Sequence, residues 1–139
     1  MTEGYARGRA LLRHESGGTG DPQAVAAAAE LVCARLREGL GELIGTGGVG
    51  ALLDHALRVA QRSAPLLEGV EARSDGTLTG LTEALISGSA PETEEAAAAV
   101  IDHFLSLLVL LMGEAVGLRP VRRLWPGLDL GVDFDGRTG

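Results

Sequence analysis

The chain is 139 residues long, with a net charge of −7 and an aromatic content of only 3%. Its length fits one domain of ordinary size, and a chain so poor in aromatic residues must build its core from aliphatic side chains. The acidic balance argues against a nucleic-acid partner and an anionic membrane surface, and the absence of lysine excludes reactions that need an amine side chain.

Cys33 is the only cysteine in the sequence. One thiol cannot form an internal disulfide, which agrees with a reducing compartment. The first residues lack the apolar core of a signal peptide, and the most apolar stretch, residues 104–112, is too short to span a bilayer. The sequence therefore predicts a cytoplasmic protein without a membrane partner.

Residues 1–20 are a weakly basic lead. We expect this lead to be mobile or lightly docked, with at most one turn of helix at residues 10–12. Helix A is predicted to begin after the N-cap residue Asp21 and to end near residue 44, where glycines follow. Its apolar residues share one stripe of the helix: Val25, Ala29, Val32, Leu36, Leu40 and Leu43.

Three shorter elements follow helix A. Helix B is predicted over residues 49–63, where the apolar positions again follow helical spacing. The Asp75-Gly76 dipeptide is a turn signal, and it predicts a short hairpin over residues 70–79. A short helix C is predicted over residues 80–86 and ends at a glycine.

Helix D has the clearest start signal in the chain. Ser89 and Glu92 match a capping box, and the helix is predicted to continue to about residue 116. Within residues 104–112 only Ser106 is polar. A helix that is apolar nearly all round is buried on most of its sides, so we expect helix D at the centre of the fold.

The C-terminal part of the chain contains two segments with different patterns. Pro120 and Pro126 bracket a predicted turn and a half of helix. The chain then alternates between apolar and mostly acidic residues over 128–135, which indicates an extended strand. The pattern leaves open whether this tail packs on its own chain or on another.

The fold predicted from these elements is all-α: a four-helix bundle of three long helices and one short one, with a C-terminal helical turn and an extended tail. No internal repeat at a fixed period is visible. The predicted domain organisation is a flexible lead over residues 1–20, a helical bundle over residues 21–126 and an extended tail over residues 127–139.

Residues 45–50 match the glycine pattern G-x-G-x-x-G of dinucleotide-binding sites, and Glu68 lies near the spacing expected of a ribose-binding acid. Such a site needs a strand before the glycines and a parallel sheet around them. Residues 36–44 continue a helical pattern instead. We therefore interpret the glycines as a link between two helices and predict no cofactor, although free N–H groups at the start of helix B could hold an anion.

Two acid–histidine pairs, Asp54-His55 and Asp102-His103, invite a comparison with metal sites in helical bundles. Those sites typically use Glu-x-x-His, and that spacing is absent here. Adjacent residues on a helix do not face each other, so each pair points in two directions. The sequence therefore predicts no metal site.

A candidate polar site consists of His103, Glu114 and Cys33. His103 and Glu114 lie near one edge of helix D within three turns, and Cys33 borders the apolar face of helix A. An enzyme would need these groups to meet in space, because a thiol becomes a nucleophile only beside a base or a cation. No catalytic signature accompanies them. We predict no catalytic residue and favour a protein that is not an enzyme.

Arg119, Arg122 and Arg123, beside Trp125, form the only local basic cluster. One interpretation is that these cations stabilise the negative end of helix D. The other is a site for an anion or a partner: a phosphate, an acidic peptide or the Asp-rich tail of a partner chain. Arginine is suited to this because it makes paired contacts with carboxylates and phosphates.

The functional hypothesis is a non-enzymatic protein–protein interaction or regulatory module that acts as a homodimer. It depends on a surplus of apolar surface, because a monomer of this size has difficulty hiding both helix D and the apolar row of the tail. The candidate interface residues are Phe104, Leu107, Leu108, Leu111, Leu130, Val132 and Phe134. The alternative is a small-molecule-binding sensor bundle with an apolar pocket beside helix D.

Overall fold

The computed structural model describes residues 5–18 and 20–128. In these residues the protein is a helical bundle with one small hairpin, so the prediction of an all-α fold is confirmed. The strand predicted for the tail lies outside the described residues, except for its first residue, Leu128. The elements in chain order are α1 (Ala6–Ser16), α2 (Pro22–Ser63), a 3-10 turn (Pro65–Leu67), β1 (Glu71–Ala72), β2 (Leu78–Thr79), α3 (Leu81–Ile86), α4 (Ala90–Met112), α5 (Glu114–Gly117) and α6 (Arg119–Leu124).

Helix α2 contains the predicted helices A and B as two halves, 22–44 and 46–63, joined at a bend. Its start is the one predicted: the carboxylate of Asp21 accepts a hydrogen bond from the backbone N–H of Ala24 at 3.2 Å. The bend is confined to Gly45, whose φ of 81° and ψ of 158° leave the helical region. Because one glycine makes the bend, helix resumes three residues earlier than the predicted start of helix B.

Helix α1 is longer and better packed than the sequence predicted. The expected single turn at residues 10–12 is part of a helix of 11 residues, and Leu11 and Leu12 are fully buried. Ion pairs from Arg9 to Glu95 at 2.8 Å and from Arg13 to Glu94 at 2.7 Å join α1 to the start of α4. These contacts are between residues far apart in the chain, so local helical periodicity does not reveal them.

Helix α4 begins at the predicted capping box, in which Ser89 and Glu92 bond to each other's backbone N–H groups. Residues 96–101 are completely enclosed by the fold, as expected of a central helix. The helix ends at Met112 rather than near residue 116. The reason is Gly113, which has a φ of 81° and separates α4 from the short α5.

The end of α4 departs from the prediction that residues 104–112 are hidden on nearly all sides. Phe104, Leu105 and Leu108 are buried, but Leu110 and Leu111 are 78% and 66% exposed. The described neighbours of this last part pack against one side of the helix only. The prediction was therefore wrong for the last turn of α4.

Helix α4 is also the one helix in the described residues that is long and apolar enough, by length and composition, to cross a membrane. Half of the residues in its most apolar window are buried inside the fold. The nine-residue stretch considered in the sequence is only the last part of this window, because the preceding alanines are apolar as well.

The hairpin and the last helix match their predictions. Strands β1 and β2 are antiparallel, and the side chain of Asp75 accepts hydrogen bonds from the backbone and the hydroxyl of Thr77 in the connecting turn. Helix α6 fills the interval between Pro120 and Pro126. It packs against α2, where Gly39 leaves space for the Leu124 side chain: a Cβ at Gly39 would lie 2.7 Å from Leu124 Cδ1.

Candidate functional site

Trp125 is part of the core and is not available to a ligand, although the sequence placed it in the basic cluster. It is 2% exposed, and its indole Nε1 donates a 2.6 Å hydrogen bond to a carboxylate oxygen of Glu15. The guanidinium of Arg35 also binds Glu15, at 3.3 Å, and lies 6.0 Å from the centre of the indole ring. The buried tryptophan and its partners Glu15 and Arg35 therefore connect the end of α6 to α1 and α2.

The three arginines of α6 are exposed. Arg119 and Arg123 are one helical turn apart and line the same cleft, whereas Arg122 does not. Among the described residues none of the three forms an ion pair, in contrast to Arg7, Arg9 and Arg13 of α1. Two positive charges without a described partner thus stand at the edge of one cleft on an acidic protein.

The cleft lies between α2 and the α5–α6 segment and has a volume of about 390 Å³. Its lining is apolar apart from Arg119, Arg123 and one carboxylate, that of Glu42. Leu43 and Val116 are exposed there, at 50% and 45%. The full lining is Gly39, Glu42, Leu43, Val116, Arg119, Pro120, Arg123 and Leu124, and we call it the α2–α6 cleft.

The predicted interface residues of helix D have different environments. Phe104 and Leu108 are 0% and 1% exposed, so they serve the protein's own core and are not an interface, which corrects their assignment. Leu107 is half-buried and Leu111 is exposed. The predicted interface residues of the tail, Leu130, Val132 and Phe134, lie outside the described residues.

Leu110, which the sequence analysis did not single out, is the most exposed large apolar side chain in the described residues. Together with Leu107 and Leu111 it forms an apolar surface at the end of α4, which we call the α4 patch. The sequence analysis missed Leu110 because it predicted burial for the whole stretch.

His103, Glu114 and Cys33 are not joined into one site. The ring of His103 makes an edge-to-face contact with Tyr5, with centroids 5.4 Å apart, and partial burial lowers its pKa although Asp102 opposes this. Glu114 is exposed and pairs with Arg7 at 3.2 Å. No hydrogen bond or ion pair links any two of the three in the part of the chain that the structure describes.

Cys33 lies on α2 and lines a cleft beside the hairpin together with Arg37, Gly76 and Leu78. Burial raises the pKa of its thiol to about 12, and the charge of Glu30 adds to this effect. A thiol with such a pKa remains protonated at neutral pH, and the thiolate is the nucleophilic form. The environment is therefore the opposite of the one that activates a cysteine.

The glycine pattern of residues 45–50 is not part of a dinucleotide fold. The residues before it are helical, and the pattern itself continues as helix after the bend at Gly45. Asp54 forms an ion pair with Arg58 at 3.1 Å, one turn along the same helix, and His55 is exposed. Within residues 5–18 and 20–128, no three acidic, histidine or cysteine side chains come close enough to hold a metal ion.

Comparisons with protein-family models, with curated proteins and with solved structures find no match for this chain. The α4 patch and the α2–α6 cleft are therefore interpreted from their own geometry. The first is an exposed apolar surface, whereas the second is an apolar cleft with two arginines at its edge.

Proposed function

We propose that this protein is a non-enzymatic interaction or regulatory module that acts as a homodimer, with the α4 patch as its contact surface. The observation that carries the proposal is the exposure of two consecutive leucines, Leu110 at 78% and Leu111 at 66%, at the end of the most apolar helix. Contiguous apolar surface on a water-soluble protein typically marks an interaction site. The proposal includes a cytoplasmic location and the predicted four-helix arrangement of three long helices and one short one.

Electrostatics favours a second copy at this particular surface. Each chain carries a net charge of −7, so two copies repel each other over most of their surfaces. Residues 104–113 contain no charged side chain, which makes the α4 patch a place where two copies meet without bringing acids together. In a two-fold dimer the same patch contacts itself, and an apolar patch is complementary to its own copy.

The free energy gained by burying the leucines of the patch can be compared with the cost of bringing two copies together. Burying one leucine side chain contributes roughly 1.5–3 kcal/mol, and a two-fold contact buries each patch residue twice. Association costs at least about 4 kcal/mol in lost translational and rotational freedom. The burial of a few leucines on each copy therefore exceeds the smallest cost of association.

The test is the oligomeric state of the full chain, measured by size-exclusion chromatography with light scattering at micromolar concentration. We expect a dimer for the natural chain and a monomer for Leu110→Gln combined with Leu111→Gln. The matched control is Leu31→Gln with Ile86→Gln, which changes two other exposed apolar side chains, at 41% and 43% exposure, and should leave the dimer intact. A natural chain that is monomeric throughout this range would overturn the proposal.

The alternative, a small-molecule-binding bundle, has to use a different place from the one predicted. The side chains of α4 that face inwards, including Phe104 and Leu108, are part of the packed core. The α2–α6 cleft, at about 390 Å³, has the volume of a ligand pocket. A ligand present at 100 times its Kd should raise the unfolding free energy by about 2.7 kcal/mol, which a thermal-shift screen detects.

A further inference from the structure

The chain leaves α6 through a turn that reverses its direction. The backbone N–H of Leu128 donates a 3.2 Å hydrogen bond to the carbonyl of Trp125, and Gly127 has a φ of 83°. Proline at the second position and glycine with positive φ at the third are typical of a type II β-turn. The last described residue, Leu128, is half-buried against the core. The described chain therefore reverses direction directly after α6, the helix that carries Arg119 and Arg123.

The sequence that follows this turn is complementary to the cleft. Residues 129–135 carry three aspartates, at positions 129, 133 and 135, alternating with apolar residues at 130, 132 and 134. The cleft offers apolar walls and the two guanidinium groups of Arg119 and Arg123. Two charges outnumber the single carboxylate of Glu42 that also lines it, so the cleft favours an acidic segment with apolar side chains.

The distance between the two arginines of the cleft is similar to the distance between two aspartates of an extended segment. Residues four apart in a helix are separated by about 6 Å along its axis, which applies to Arg119 and Arg123. Residues two apart in an extended chain are separated by about 6.6 Å, which applies to Asp133 and Asp135. An extended segment that runs beside α6 can thus bring each aspartate next to one arginine, and paired carboxylate–guanidinium contacts are among the stronger polar contacts.

We propose that the C-terminal segment, residues 129–139, occupies the α2–α6 cleft of its own chain. Its apolar residues cover Leu43 and Val116, and Asp133 and Asp135 pair with Arg119 and Arg123. The eleven residues of this segment have an extended reach of about 36 Å, whereas α6, with six residues, is only about 9 Å long. A tether this short gives the same chain a large advantage in effective concentration over any other acidic peptide.

Disulfide trapping in the full chain tests this assignment. In a Cys33→Ser background, we pair Leu43→Cys in the cleft with Phe134→Cys in the segment and follow oxidation on non-reducing gels. We expect a disulfide within one chain, formed about tenfold faster than in the control pair Leu31→Cys with Phe134→Cys. Leu31 is on the same helix with similar exposure, 41% against 50%, but does not line the cleft.

The proposed pairing of aspartates with arginines is tested by adding Arg119→Gln and Arg123→Gln to the trapping pair. The control is Arg62→Gln, which removes an exposed arginine elsewhere in the chain. The double substitution and 0.5 M salt should both slow trapping severalfold, since both weaken charge pairing. Equal rates at positions 31 and 43, or a rate indifferent to Arg119 and Arg123, would overturn the proposal. A covalent dimer as the main product would overturn the same-chain assignment.

This inference and the proposed function fail independently. The trapping pair uses the α2–α6 cleft, and the dimer test uses the α4 patch, which shares no residue with the cleft lining. We expect trapping to persist in a chain that also carries Leu110→Gln and Leu111→Gln. Loss of trapping in that monomeric variant would count against a same-chain contact.

Discussion

The indole Nε1 of Trp125 donates a hydrogen bond of 2.6 Å to the carboxylate of Glu15, a residue 110 positions earlier in the chain. Glu15 is at the end of α1 and its side chain is only 9% exposed. Its second partner is Arg35 of α2 at 3.3 Å. One buried carboxylate thus connects α1, α2 and the turn after α6, and it positions the β-turn from which the C-terminal segment departs.

Trp125→Phe should lower the free energy of unfolding by about 1–3 kcal/mol, because the largely buried carboxylate of Glu15 keeps Arg35 but loses its indole donor. Urea unfolding followed by far-UV circular dichroism measures this without relying on tryptophan fluorescence. Glu15→Ala removes the acceptor and supplies the other half of a double-mutant cycle. If the two substitutions are additive, the hydrogen bond between them contributes nothing to stability.

Gly8→Ala should weaken the docking of α1 on α4. A Cβ at this position would lie 2.8 Å from the backbone nitrogen of Asp102, and the Gly8 N–H already donates to the Asp102 carboxylate at 3.0 Å. Because backbone must shift to make space, we expect a loss of about 1–3 kcal/mol in unfolding free energy. Denaturant midpoints measure this loss.

The control for this substitution is Gly41→Ala in α2. Gly41 is also helical, but nothing lies within 4 Å of a Cβ built there. Alanine has the better helix propensity, so this variant should be more stable by up to about 1 kcal/mol. Stabilisation by both substitutions would show that α1 does not approach α4 as closely as the structure has it.

Gly45→Ala should destabilise the protein by about 1–3 kcal/mol, because a φ of 81° with a ψ of 158° belongs to a region that only glycine adopts readily. Gly47→Ala, two residues later in regular helix with open space around it, should instead stabilise the protein by about 0.5–1 kcal/mol. Thermal unfolding of the two variants compares them directly. A gain in stability for Gly45→Ala would mean that α2 continues through this point without the bend.

Cys33 should be nearly inert in the folded protein. With its pKa raised to about 12 by burial, its thiolate fraction at pH 8 is about a thousandfold below that of a thiol at the ordinary value of 9.0. Reaction with a disulfide reagent at pH 8 should be slow in buffer and fast in denaturant. The pKa of the Cys33 thiol is higher in the folded chain than in the unfolded one. Its contribution to the free energy of unfolding is therefore fully present below pH 9 and is lost as the pH rises through about 12. Stoichiometric labelling of the folded chain within seconds would contradict this.

Local signals in the sequence predicted much of the secondary structure. The Asp21 cap, the capping box of Ser89 and Glu92 and the turn at Asp75-Gly76 depend on residues within a few positions of each other, and all three were predicted correctly. The aliphatic core and the all-α class also follow from composition and periodicity. The fold class was therefore accessible without coordinates.

The sequence by itself thus determined which segments are helical and where most of them begin, because helical hydrogen bonds and caps join near neighbours. Only the tertiary structure decided that α1 is docked, that Trp125 is enclosed while Arg119 and Arg123 face a cleft, and that Leu110 and Leu111 are left uncovered. Each of these depends on which helix packs against which. The physical reason is that burial is a property of a surface and its neighbours, and periodicity along one helix says which side is apolar but not whether another helix is long enough to cover it.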